Sequence, residues 1–429
     1  MKLAVIGTGY VGLVSGACLA DVGHQVICID IDEVKLTRLK AGIMPIYEQG
    51  LEAIVQKNVQ AGRLQFTSSY EKGMEEARAV MIAVGTPPQT DGSADMRFID
   101  QACESLAPHL QDQMVVIVKS TVPVGTNDRV LEKLKGLSTK TIDVVSNPEM
   151  LREGVAVKDF LYPSRVIFGT RSPEATACLH DLYAAIDCPK LVMSPRSAEL
   201  VKYANNAFLA TKVSFINDIA NLADALGANI EDVANGIGTD PRIGHSFLSP
   251  GPGWGGSCFP KDVHAILHLA KEHDLNLAVC HAAIEANEEA RTWVIKRMKK
   301  HLGDLSGKRI GVLGISFKQN TDDTRDSPAL ELIQLLATAG AIVTAYDPAA
   351  VIPTTFITPF TRVDEMYHVC DEADAILITT EWDIFRTLEP KRIAEKMKGK
   401  LVFDARNLLD PKSVEEAGLI YQGIGKIKK

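Results

Sequence analysis

Residues 1–12, MKLAVIGTGYVG, decide the fold of the first part of the chain. A short apolar run, residues 3–6, ends directly in the pattern GxGxxG, which is formed by Gly7, Gly9 and Gly12. An apolar stretch with helical character follows, residues 11–22. This order predicts a β-strand, a tight glycine turn and a helix. It is typical of a βαβ unit that binds a pyrophosphate at the N-terminus of its helix.

The second predicted strand, HQVICID, ends at Asp30. This is about the distance from the glycines at which a carboxylate binds the two ribose hydroxyls of a dinucleotide. Because its negative charge opposes a 2′-phosphate, Asp30 predicts NAD rather than NADP as the cofactor. Lys35 weakens that preference slightly. The alternative is that the three glycines serve only a turn.

Three further apolar runs predict buried strands: ARAVMIAVGTPP (77–88), MVVIVKSTVP (114–123) and TIDVVSNPE (141–149). Each of these runs ends in a polar loop. Continuous β-branched runs that alternate with helices predict a parallel, doubly wound sheet. Ligands of such sheets bind at the carboxyl ends of the strands, where these polar loops lie.

The middle and the end of the chain differ in pattern. Residues 197–226 carry apolar residues at helical spacing and stop at Gly227, which predicts one long helix. Mostly helical sequence continues to about His301. The strand order of the first region then returns in GKRIGVLG (307–314), GAIVTAYDP (340–348), EADAILITTEW (372–382) and GKLVFDARN (399–407).

These patterns predict an α/β protein in which two Rossmann-like doubly wound domains are joined by a long central helix and a helical middle domain. The predicted boundaries are 1–196 for the NAD-binding domain and 197–300 for the helical domain, which carries a cysteine loop. Residues 301–429 form the second Rossmann-like domain.

Composition excludes several classes of protein. The net charge of -8 disfavours nucleic acid as a partner. Eight cysteines occur without a CxxC pair or a Cys/His cluster, so we expect no metal, no disulfide framework and reduced thiols in a cytoplasmic protein. We expect no signal peptide, since glycines break the N-terminal apolar run. No apolar run is long enough to predict a membrane partner.

The stretch GPGWGGSCFPKD (251–262) surrounds Cys258 with glycines and prolines. Pro260 fits the first position of a helix over KDVHAILHLAKEH, so Cys258 would lie just before a helix N-terminus. There the helix dipole and Lys261 favour the thiolate. Glycines at 253, 255 and 256 would leave room for a substrate close to the sulfur. The other seven cysteines have the sequence context of small core residues.

Two pairs of residues are less decisive. Lys202 and Asn206 are four apart on the long helix and share one face. Together they can polarise an oxygen, although a solvated helix face is the preferred interpretation of the pair alone. Lys318 and Arg325, in the first loop of the third region, either bind phosphate or belong to an exposed loop of mixed charge.

Taken together, GxGxxG, NPEMLREG (147–154), KYANNAFLA (202–210) and GGSCFPKD (255–262) resemble the UDP-glucose/GDP-mannose dehydrogenase family over essentially the whole chain. RIGHSFLSPGPGWGGSCFPKD (242–262) is more similar to the branch that oxidises UDP-glucose. The resemblance implies that two NAD in succession oxidise the sugar C6 alcohol to a carboxylate, giving UDP-glucuronate. It also implies a Cys258 thiohemiacetal and thioester that water hydrolyses, and a homodimer or higher homo-oligomer built largely on the long helix.

The resemblance further implies roles for individual residues. Cys258 would be the nucleophile, Lys202 and Asn206 would stabilise the oxyanion, and Asp262 would act with a water as acid and base. Thr121 would order that water and Glu149 would assist hydrolysis. The implied NAD contacts are Gly7, Gly9, Val11, Gly12, Asp30, Lys35, Thr86, Thr121, Glu153 beside the nicotinamide, Lys261 and Arg325. The implied substrate contacts are Glu149, Met150, Leu151, Arg152, Glu153, Lys202, Asn206, Phe247, Leu248, Ser249, Pro250, Gly251, Gly255, Lys318, Arg406 and, across a dimer, Arg242.

Three other functions stay open at this point. The substrate can be another nucleotide sugar, GDP-mannose or a UDP-N-acetylhexosamine. A two-electron enzyme of the 6-phosphogluconate dehydrogenase type is opposed by Cys258 and by the third region. A catalytically silent NAD-binding regulator has no chemical reason to keep Cys258, Lys202, Asn206 and Asp262 together.

Overall fold

The computed structural model describes residues 1–426 and divides into two compact units. The first unit contains residues 1–205 and 264–273, and the second contains residues 206–263 and the chain from Asp274 onwards. The last three residues of the predicted third domain lie outside the described part. The three predicted domain boundaries stay a prediction.

The first unit is built on an eight-stranded sheet with the order β3-β2-β1-β4-β5-β6-β7-β8. The strands are β1 (Lys2–Ile6), β2 (Gln25–Ile29), β3 (Leu64–Thr67), β4 (Ala79–Ile82), β5 (Met114–Val118), β6 (Ile142–Ser146), β7 (Val166–Gly169) and β8 (Lys190–Met193). Strands β1 to β6 pair in parallel, whereas β7 pairs antiparallel with β6. All five strands predicted in this region are confirmed, and β3, β7 and β8 were not predicted.

Helices cover both faces of this sheet. They are α1 (Tyr10–Asp21), α2 (Glu33–Lys40), α3 (Leu51–Gln60), α4 (Tyr70–Met74), α5 (Arg97–Leu106), α6 (Thr126–Leu137), α7 (Ala156–Leu161) and α8 (Pro173–Leu182), with a 3₁₀ turn at Ala107–His109. Alternate residues of β1 enter opposite cores: Leu3 and Val5 pack in the α1 core, and Ala4 and Ile6 in the α5 core. Burial on both faces explains why the strands are continuous apolar runs.

The long helix is confirmed as α9 (Pro195–Leu226), which has 32 residues. It ends before Gly227, whose φ of +69° is a left-handed conformation that suits glycine. The boundary between the two units falls within α9, after Asn205. Several residues of the helix are buried, among them Ala210, Ile216 and Ala220, whereas Phe208, Phe215 and Leu222 are 65%, 50% and 52% exposed.

The second unit contains the other Rossmann-like sheet, with the order β11-β10-β9-β12-β13-β14. Its strands are β9 (Arg309–Leu313), β10 (Ile342–Tyr346), β11 (Thr361–Arg362), β12 (Ala375–Ile378), β13 (Leu401–Asp404) and β14 (Ile420–Gly423). All neighbours in this sheet are parallel. The order repeats that of the first six strands of the first unit, so the predicted internal repeat is confirmed.

The remaining helices complete the predicted helical middle and cover the second sheet. They are α10 (Ile230–Gly238), α11 (Phe259–Glu272), α12 (Ala278–Leu302), α13 (Pro328–Thr338), α14 (Pro390–Lys396) and α15 (Pro411–Glu416), with 3₁₀ turns at Met366–Cys370 and Asp383–Thr387. Like α9, α11 contributes residues to both units. No helix within residues 1–426 is long and apolar enough to cross a membrane.

Candidate active site

The glycine turn after β1 has the shape that a pyrophosphate needs. Gly7 has a φ of +94°, and a Cβ at Gly12 would lie 1.9 Å from the Gly7 carbonyl oxygen. Neither position therefore accepts a larger residue without movement of the backbone. A Cβ at Gly9 would meet nothing within 4 Å, and no side chain caps the N-terminus of α1. The first backbone amides of α1 are therefore available to an anion.

Asp30 follows β2 and is 8% exposed. Its Oδ2 accepts hydrogen bonds from the Thr8 amide at 2.7 Å and from Lys35 Nζ at 3.1 Å, and its Oδ1 accepts one from the Asp32 amide at 3.0 Å. Burial alone would raise the pKa of Asp30, but the hydrogen bonds from Thr8, Asp32 and Lys35 outweigh burial and hold it below its usual value. Asp30 is therefore a carboxylate beside the glycine turn.

Tyr10 and Glu48 connect this turn to the loop after β6. The Tyr10 hydroxyl is hydrogen-bonded to the buried Glu48 carboxylate. The Gly154 amide donates to Tyr10 Oη at 2.8 Å and to Glu48 Oε2 at 2.7 Å. The loop that contains Glu149 and Glu153 is thereby held beside the predicted cofactor turn. Glu48 was not predicted from the sequence, because nothing near it in the chain resembles a motif.

Thr86 and Thr121 lie in the loops after the neighbouring strands β4 and β5. Thr86 Oγ1 donates to the Thr121 carbonyl oxygen at 2.7 Å, which ties the two predicted NAD contacts together. The loop after Thr121 is fixed by Glu199 of α9. Glu199 accepts hydrogen bonds from the amides of Gly125 at 2.6 Å and Asn127 at 2.8 Å.

Lys202 and Glu149 form a buried ion pair. Their Nζ and Oε1 atoms are 2.7 Å apart, and the two side chains are 4% and 5% exposed. Glu149 Oε2 also accepts a hydrogen bond from the Leu151 amide at 2.6 Å. Burial would raise the pKa of Glu149, but the charge and hydrogen bond of Lys202 outweigh burial and keep it lowered. The preferred interpretation of Lys202 alone, that it belongs to a solvated helix face, is therefore wrong, because its side chain is buried.

A second buried lysine, Lys119, lies directly after β5. Its Nζ donates to Asn147 Oδ1 at 3.0 Å and to Tyr183 Oη at 3.2 Å. The charges of Glu149 and Lys202 both act on it. Lys119 was missed because in KSTVP it looks like the polar end of a buried strand.

Asn206 and Asp262 form a second buried polar group, in the second unit. Asn206 Nδ2 donates to Asp262 Oδ2 at 2.6 Å, and Lys261 Nζ lies 2.5 Å from Asp262 Oδ1. Asn206 and Asp262 are 5% and 1% exposed, so Asn206 also does not lie on a solvated face. Asp262 thus receives one hydrogen bond on each oxygen, from an amide and from an ammonium group.

Cys258 directly precedes α11, as predicted, although the helix begins at Phe259, one residue before Pro260. The Cys258 carbonyl oxygen accepts the hydrogen bond from the Asp262 amide at 2.8 Å, which closes the first helical turn. The thiol is partly exposed, and Ser257 Oγ lies 3.5 Å from its sulfur. This position combines access with the positive end of a helix dipole, which favours a thiolate.

The glycines around Cys258 have a different role from the one expected. Residues 251–256 are buried, and protein atoms fill the space beside them. A Cβ at Gly255 would lie 1.9 Å from the Asp326 carbonyl oxygen, one at Gly256 would lie 2.6 Å from the Phe317 ring, and one at Gly253 would lie 2.6 Å from Asn287 Oδ1. The interpretation that these glycines leave room for substrate is therefore wrong. They allow the cysteine loop to pack against its own unit.

Trp254 anchors the same loop to two helices. Its backbone amide donates to Asn287 Oδ1 at 2.7 Å, and its carbonyl oxygen accepts from Asn287 Nδ2 and Arg291 Nη2, both at 3.0 Å. Its indole donates to Ser214 Oγ at 2.9 Å. Asn287 and Arg291, on α12, are buried and were not predicted, because their partner is distant in sequence.

Several predicted substrate contacts come together in the second unit. The Gly251 amide donates to Asn217 Oδ1 at 2.9 Å, and a Cβ at Gly251 would lie 2.7 Å from Arg406 Nη1. Arg406 Nε donates to the Thr379 carbonyl oxygen at 2.8 Å and lies 3.1 Å from Glu381 Oε2. In the same segment, Leu248 and Pro250 are buried, Phe247 is partly buried and Ser249 is exposed.

The first loop of the third region contacts the cysteine loop by its backbone. The Gly256 amide donates to the Arg325 carbonyl oxygen at 3.0 Å, while the Arg325 guanidinium group binds Asp323 at 2.6 Å. Lys318 Nζ lies 5.6 Å from the centre of the Phe317 ring. Lys318 thus directly follows Phe317, whose ring lies beside Gly256, and Arg325 directly precedes Asp326, whose carbonyl oxygen lies beside Gly255.

Asp347 is the counterpart of Asp30 in the second sheet. It follows β10 and is 3% exposed. Its Oδ2 accepts from the amides of Ile315 at 2.7 Å and Ser316 at 2.9 Å, and its Oδ1 from the amide of Ala350 at 2.8 Å. The second sheet thus uses this carboxylate to fix its own loops.

The remaining predicted residues differ in their exposure. Arg242 is 86% exposed and binds Asp240, and Arg152 is 59% exposed and binds Asp159. Val11 is partly buried in the first turn of α1, and Met150, Leu151 and Glu153 are partly buried in the loop after β6. No group of three or more His, Cys, Asp or Glu side chains within the described part of the chain has the arrangement of a metal site.

Three models of one protein family match successive parts of the chain. The NAD binding domain of the UDP-glucose/GDP-mannose dehydrogenase family matches residues 1–187, its central domain residues 196–289 and its UDP binding domain residues 311–411. UDP-glucose 6-dehydrogenase TuaD from Bacillus subtilis is 43% identical over 99% of this chain and 93% of its own. UDP-glucose 6-dehydrogenase from Rhizobium meliloti is 43% identical over 99% of this chain and 100% of its own.

Solved structures agree with these matches. A UDP-glucose dehydrogenase from Pyrobaculum islandicum superposes with a TM-score of 0.91 at 38% identity, over 99% of this chain and 97% of that one. A UDP-D-ManNAc dehydrogenase from Pyrococcus horikoshii superposes with a TM-score of 0.88 at 27% identity, over 99% of both chains. The chain belongs to the UDP-glucose/GDP-mannose dehydrogenase family, a family of NAD-binding oxidoreductases.

Proposed function

We propose that this chain catalyses the NAD-dependent, four-electron oxidation of the C6 alcohol of UDP-glucose to UDP-glucuronate. The observation that carries the proposal is the partly exposed Cys258 at the start of α11, four residues before an Asp262 that binds Asn206 and Lys261. The 43% identity with enzymes named UDP-glucose 6-dehydrogenase supports this choice of substrate. In the proposed division of labour, residues 1–196 bind the dinucleotide and residues 301–429 bind the UDP group.

The residues of the first unit fit a dinucleotide. The open space beside Gly9 and the uncapped start of α1 suit a pyrophosphate, and the Asp30 carboxylate suits ribose hydroxyls. Asp30 favours NAD over NADP because its charge opposes a 2′-phosphate, and Lys35 already binds Asp30. When bound, the nicotinamide supplies a hydride acceptor for each of the two oxidations.

The thiol of Cys258 makes the second oxidation possible. The first oxidation gives an aldehyde, and only a tetrahedral carbon can release another hydride. The Cys258 thiolate adds to the aldehyde carbon and forms a C–S bond, and the carbonyl electron pair moves to oxygen to give a thiohemiacetal oxyanion. Oxidation of this adduct leaves a thioester. Covalent attachment also keeps the aldehyde from escaping.

Polar side chains stabilise the oxyanions and accept the proton that these steps produce. Lys202 and Asn206 stabilise the alkoxide and the thiohemiacetal oxyanion by donating hydrogen bonds to them. Asp262, through a water, accepts the proton of the C6 hydroxyl. From the alcohol and one water, two hydrides and three protons leave to give the carboxylate.

Hydrolysis of the thioester completes the reaction. Thr121 orders the attacking water and Glu149 assists its deprotonation. The water oxygen forms the new C–O bond while the C–S bond breaks, so Cys258 leaves as a thiolate. Since Cys258 has to stay reduced to act as the nucleophile, we expect the reaction to take place in the reducing cytoplasm.

We further propose that the enzyme is a homodimer or a higher homo-oligomer assembled on α9. The exposed Phe208, Phe215 and Leu222 are seven residues apart in turn and form an apolar stripe along this helix. Burying such a stripe against a second copy removes apolar surface from water. Arg242 is exposed and, in this proposal, reaches the substrate of the partner subunit.

The test is the amount of NADH formed per nucleotide sugar consumed, measured with UDP-glucose, UDP-galactose, UDP-N-acetylglucosamine and GDP-mannose. About two NADH per UDP-glucose, with little turnover of the other sugars, supports the proposal. One NADH per UDP-glucose makes the enzyme a two-electron dehydrogenase instead.

The second candidate function is the same oxidation of another nucleotide sugar. The similarity to a UDP-D-ManNAc dehydrogenase structure, at a TM-score of 0.88, favours a UDP-N-acetylhexosamine among these. Identity to that chain is 27%, against 38% for the UDP-glucose dehydrogenase structure, so UDP-glucose is preferred. Two NADH per UDP-N-acetylmannosamine or UDP-N-acetylglucosamine, with no turnover of UDP-glucose, would reverse the order.

A further inference from the structure

Lys119 is a buried charge that the proposed mechanism does not use. It follows β5, is 4% exposed and donates to Asn147 Oδ1 and Tyr183 Oη. Its ammonium group also lies 5.8 Å from the centre of the Phe160 ring and 5.6 Å from that of Tyr183. These partners are all neutral, so they solvate the charge without cancelling it.

The charged groups that face Lys119 are Glu149 and Lys202. Glu149 is two residues beyond Asn147, in the loop after the neighbouring strand β6, and it is ion-paired with Lys202. The charges of Lys119 and Glu149 act on each other, since each shifts the pKa of the other towards the charged form. The buried cluster of Lys119, Lys202 and Glu149 therefore combines two lysines with one carboxylate, and the charges of these three side chains sum to one positive charge when both lysines are protonated.

Burial opposes this excess charge. Desolvation lowers the pKa of Lys119 to about 8, with Glu149 acting to raise it and Lys202 to lower it further. The charge is thus present at neutral pH and is lost as the pH rises through about 8. A lysine kept buried at such a cost calls for a compensating role.

We propose that Lys119 is a positioning residue for the proposed oxidation, whose buried ammonium group gives the Lys202–Glu149 pair the excess positive charge that offsets a substrate oxyanion. The inference rests on the proposed function, because it assigns Lys202 to the alkoxide and the thiohemiacetal. Without Lys119, Glu149 and Lys202 neutralise each other, and an oxyanion has to compete with Glu149 for Lys202. With Lys119, Glu149 is shared by two cations and the cluster can accept one more negative charge at low cost.

The test compares two uncharged variants, Lys119→Gln and Lys119→Met, with the wild-type enzyme from pH 6.5 to 9.5. The Gln amide keeps a donor for Asn147 Oδ1, whereas Met removes it. We expect both variants to lower kcat about tenfold at pH 7, which is the effect of a charge interaction equivalent to one pKa unit. Because the wild-type Lys119 loses its own charge above pH 8, the ratio of wild-type to variant kcat should fall towards one at pH 9.5.

Two results would overturn the inference. A Lys119→Gln enzyme with wild-type kcat at pH 7 would mean that only the hydrogen bond matters. A kcat ratio that does not change with pH would mean a purely structural lysine. If neither variant folds, the wild-type profile decides: its kcat must decrease above pH 8, and a kcat that is flat or increasing to pH 9.5 contradicts the inference.

The control variant is Tyr183→Phe, which removes one hydrogen bond to Lys119 but keeps the charge. We expect it to retain the pH dependence of the wild type, and an equal loss of that dependence would contradict the role of charge. A failure of the proposed function is distinguishable from a failure of the inference. In the first case the wild-type enzyme does not oxidise UDP-glucose, and in the second it does so with a pH-independent kcat ratio.

Discussion

Replacement of Gly255 by alanine should displace the cysteine loop, residues 251–258, from the segment that it packs against. Its Cβ would lie 1.9 Å from the Asp326 carbonyl oxygen, about 1.5 Å short of the 3.4 Å at which ordinary contact begins. The contact atom belongs to the backbone, so no side chain can rotate away. The neighbouring hydrogen bond from the Gly256 amide to the Arg325 carbonyl oxygen resists separation of the two segments.

The cost follows from these two contacts. Overpacking of a filled site costs about 1–3 kcal/mol, and loss of the Gly256 hydrogen bond adds about 1 kcal/mol. We therefore expect Gly255→Ala to lower the free energy of unfolding by roughly 2–4 kcal/mol, and the melting temperature by roughly 4–16 °C for a unit of this size. Turnover should fall at the same time, because Cys258 is three residues away.

The assay is differential scanning calorimetry together with steady-state turnover of UDP-glucose. The matched control is Gly236→Ala, in α10, where a Cβ meets nothing within 4 Å. Alanine is a better helix former than glycine, so this variant should unfold at the wild-type temperature or slightly above it. Wild-type stability and turnover in Gly255→Ala would refute the conclusion that close packing, rather than substrate access, requires glycine in this loop.

Three further predictions follow from other parts of the structure. Gly9→Ala should melt like the wild type but lose most of its NAD affinity, whereas Gly12→Ala should lose stability. If calorimetry gives Gly9→Ala the same NAD affinity as the wild type, the pyrophosphate site is contradicted. Phe215→Glu on α9 should shift the mass measured by light scattering towards the monomer, and an unchanged mass would contradict the helix interface. The folded protein loses the Lys119 proton near pH 8, whereas the unfolded chain keeps it up to about pH 10.5. Between these two values, wild-type stability should therefore increase relative to Lys119→Met by up to about 1.4 kcal/mol per pH unit. A constant difference in denaturant titrations would mean that Lys119 has an ordinary pKa.

The sequence predicted the local parts of the fold well. Strand β1, the glycine turn and α1 follow from one contiguous stretch, residues 1–22, and α9 follows from helical spacing that ends at Gly227. The repeated strand order also allowed the second sheet to be predicted. Strand β8 was missed because its central residues, Leu191 and Val192, are exposed at the edge of the sheet.

The contacts that position the residues of the candidate site were harder to predict from the sequence. Cys258 could be singled out from its neighbours in the chain, but Gly255 meets Asp326, which is 71 residues away. Similarly, Lys202 seemed solvated because its ion pair with Glu149 joins segments that are distant in sequence. Lys119 has no local signal at all, since burial of its ammonium group depends on Asn147 and Tyr183. Long-range contacts of this kind cannot be deduced from spacing or propensity.

The central claim is that Cys258 carries the substrate through the second oxidation. The most direct measurement is a single turnover with enzyme in excess over UDP-glucose and NAD in excess over both, in which the NADH formed is counted. We predict about two NADH per UDP-glucose for the wild type and for the control Cys280→Ala, and at most one for Cys258→Ala. Two NADH per UDP-glucose from Cys258→Ala would contradict the covalent mechanism.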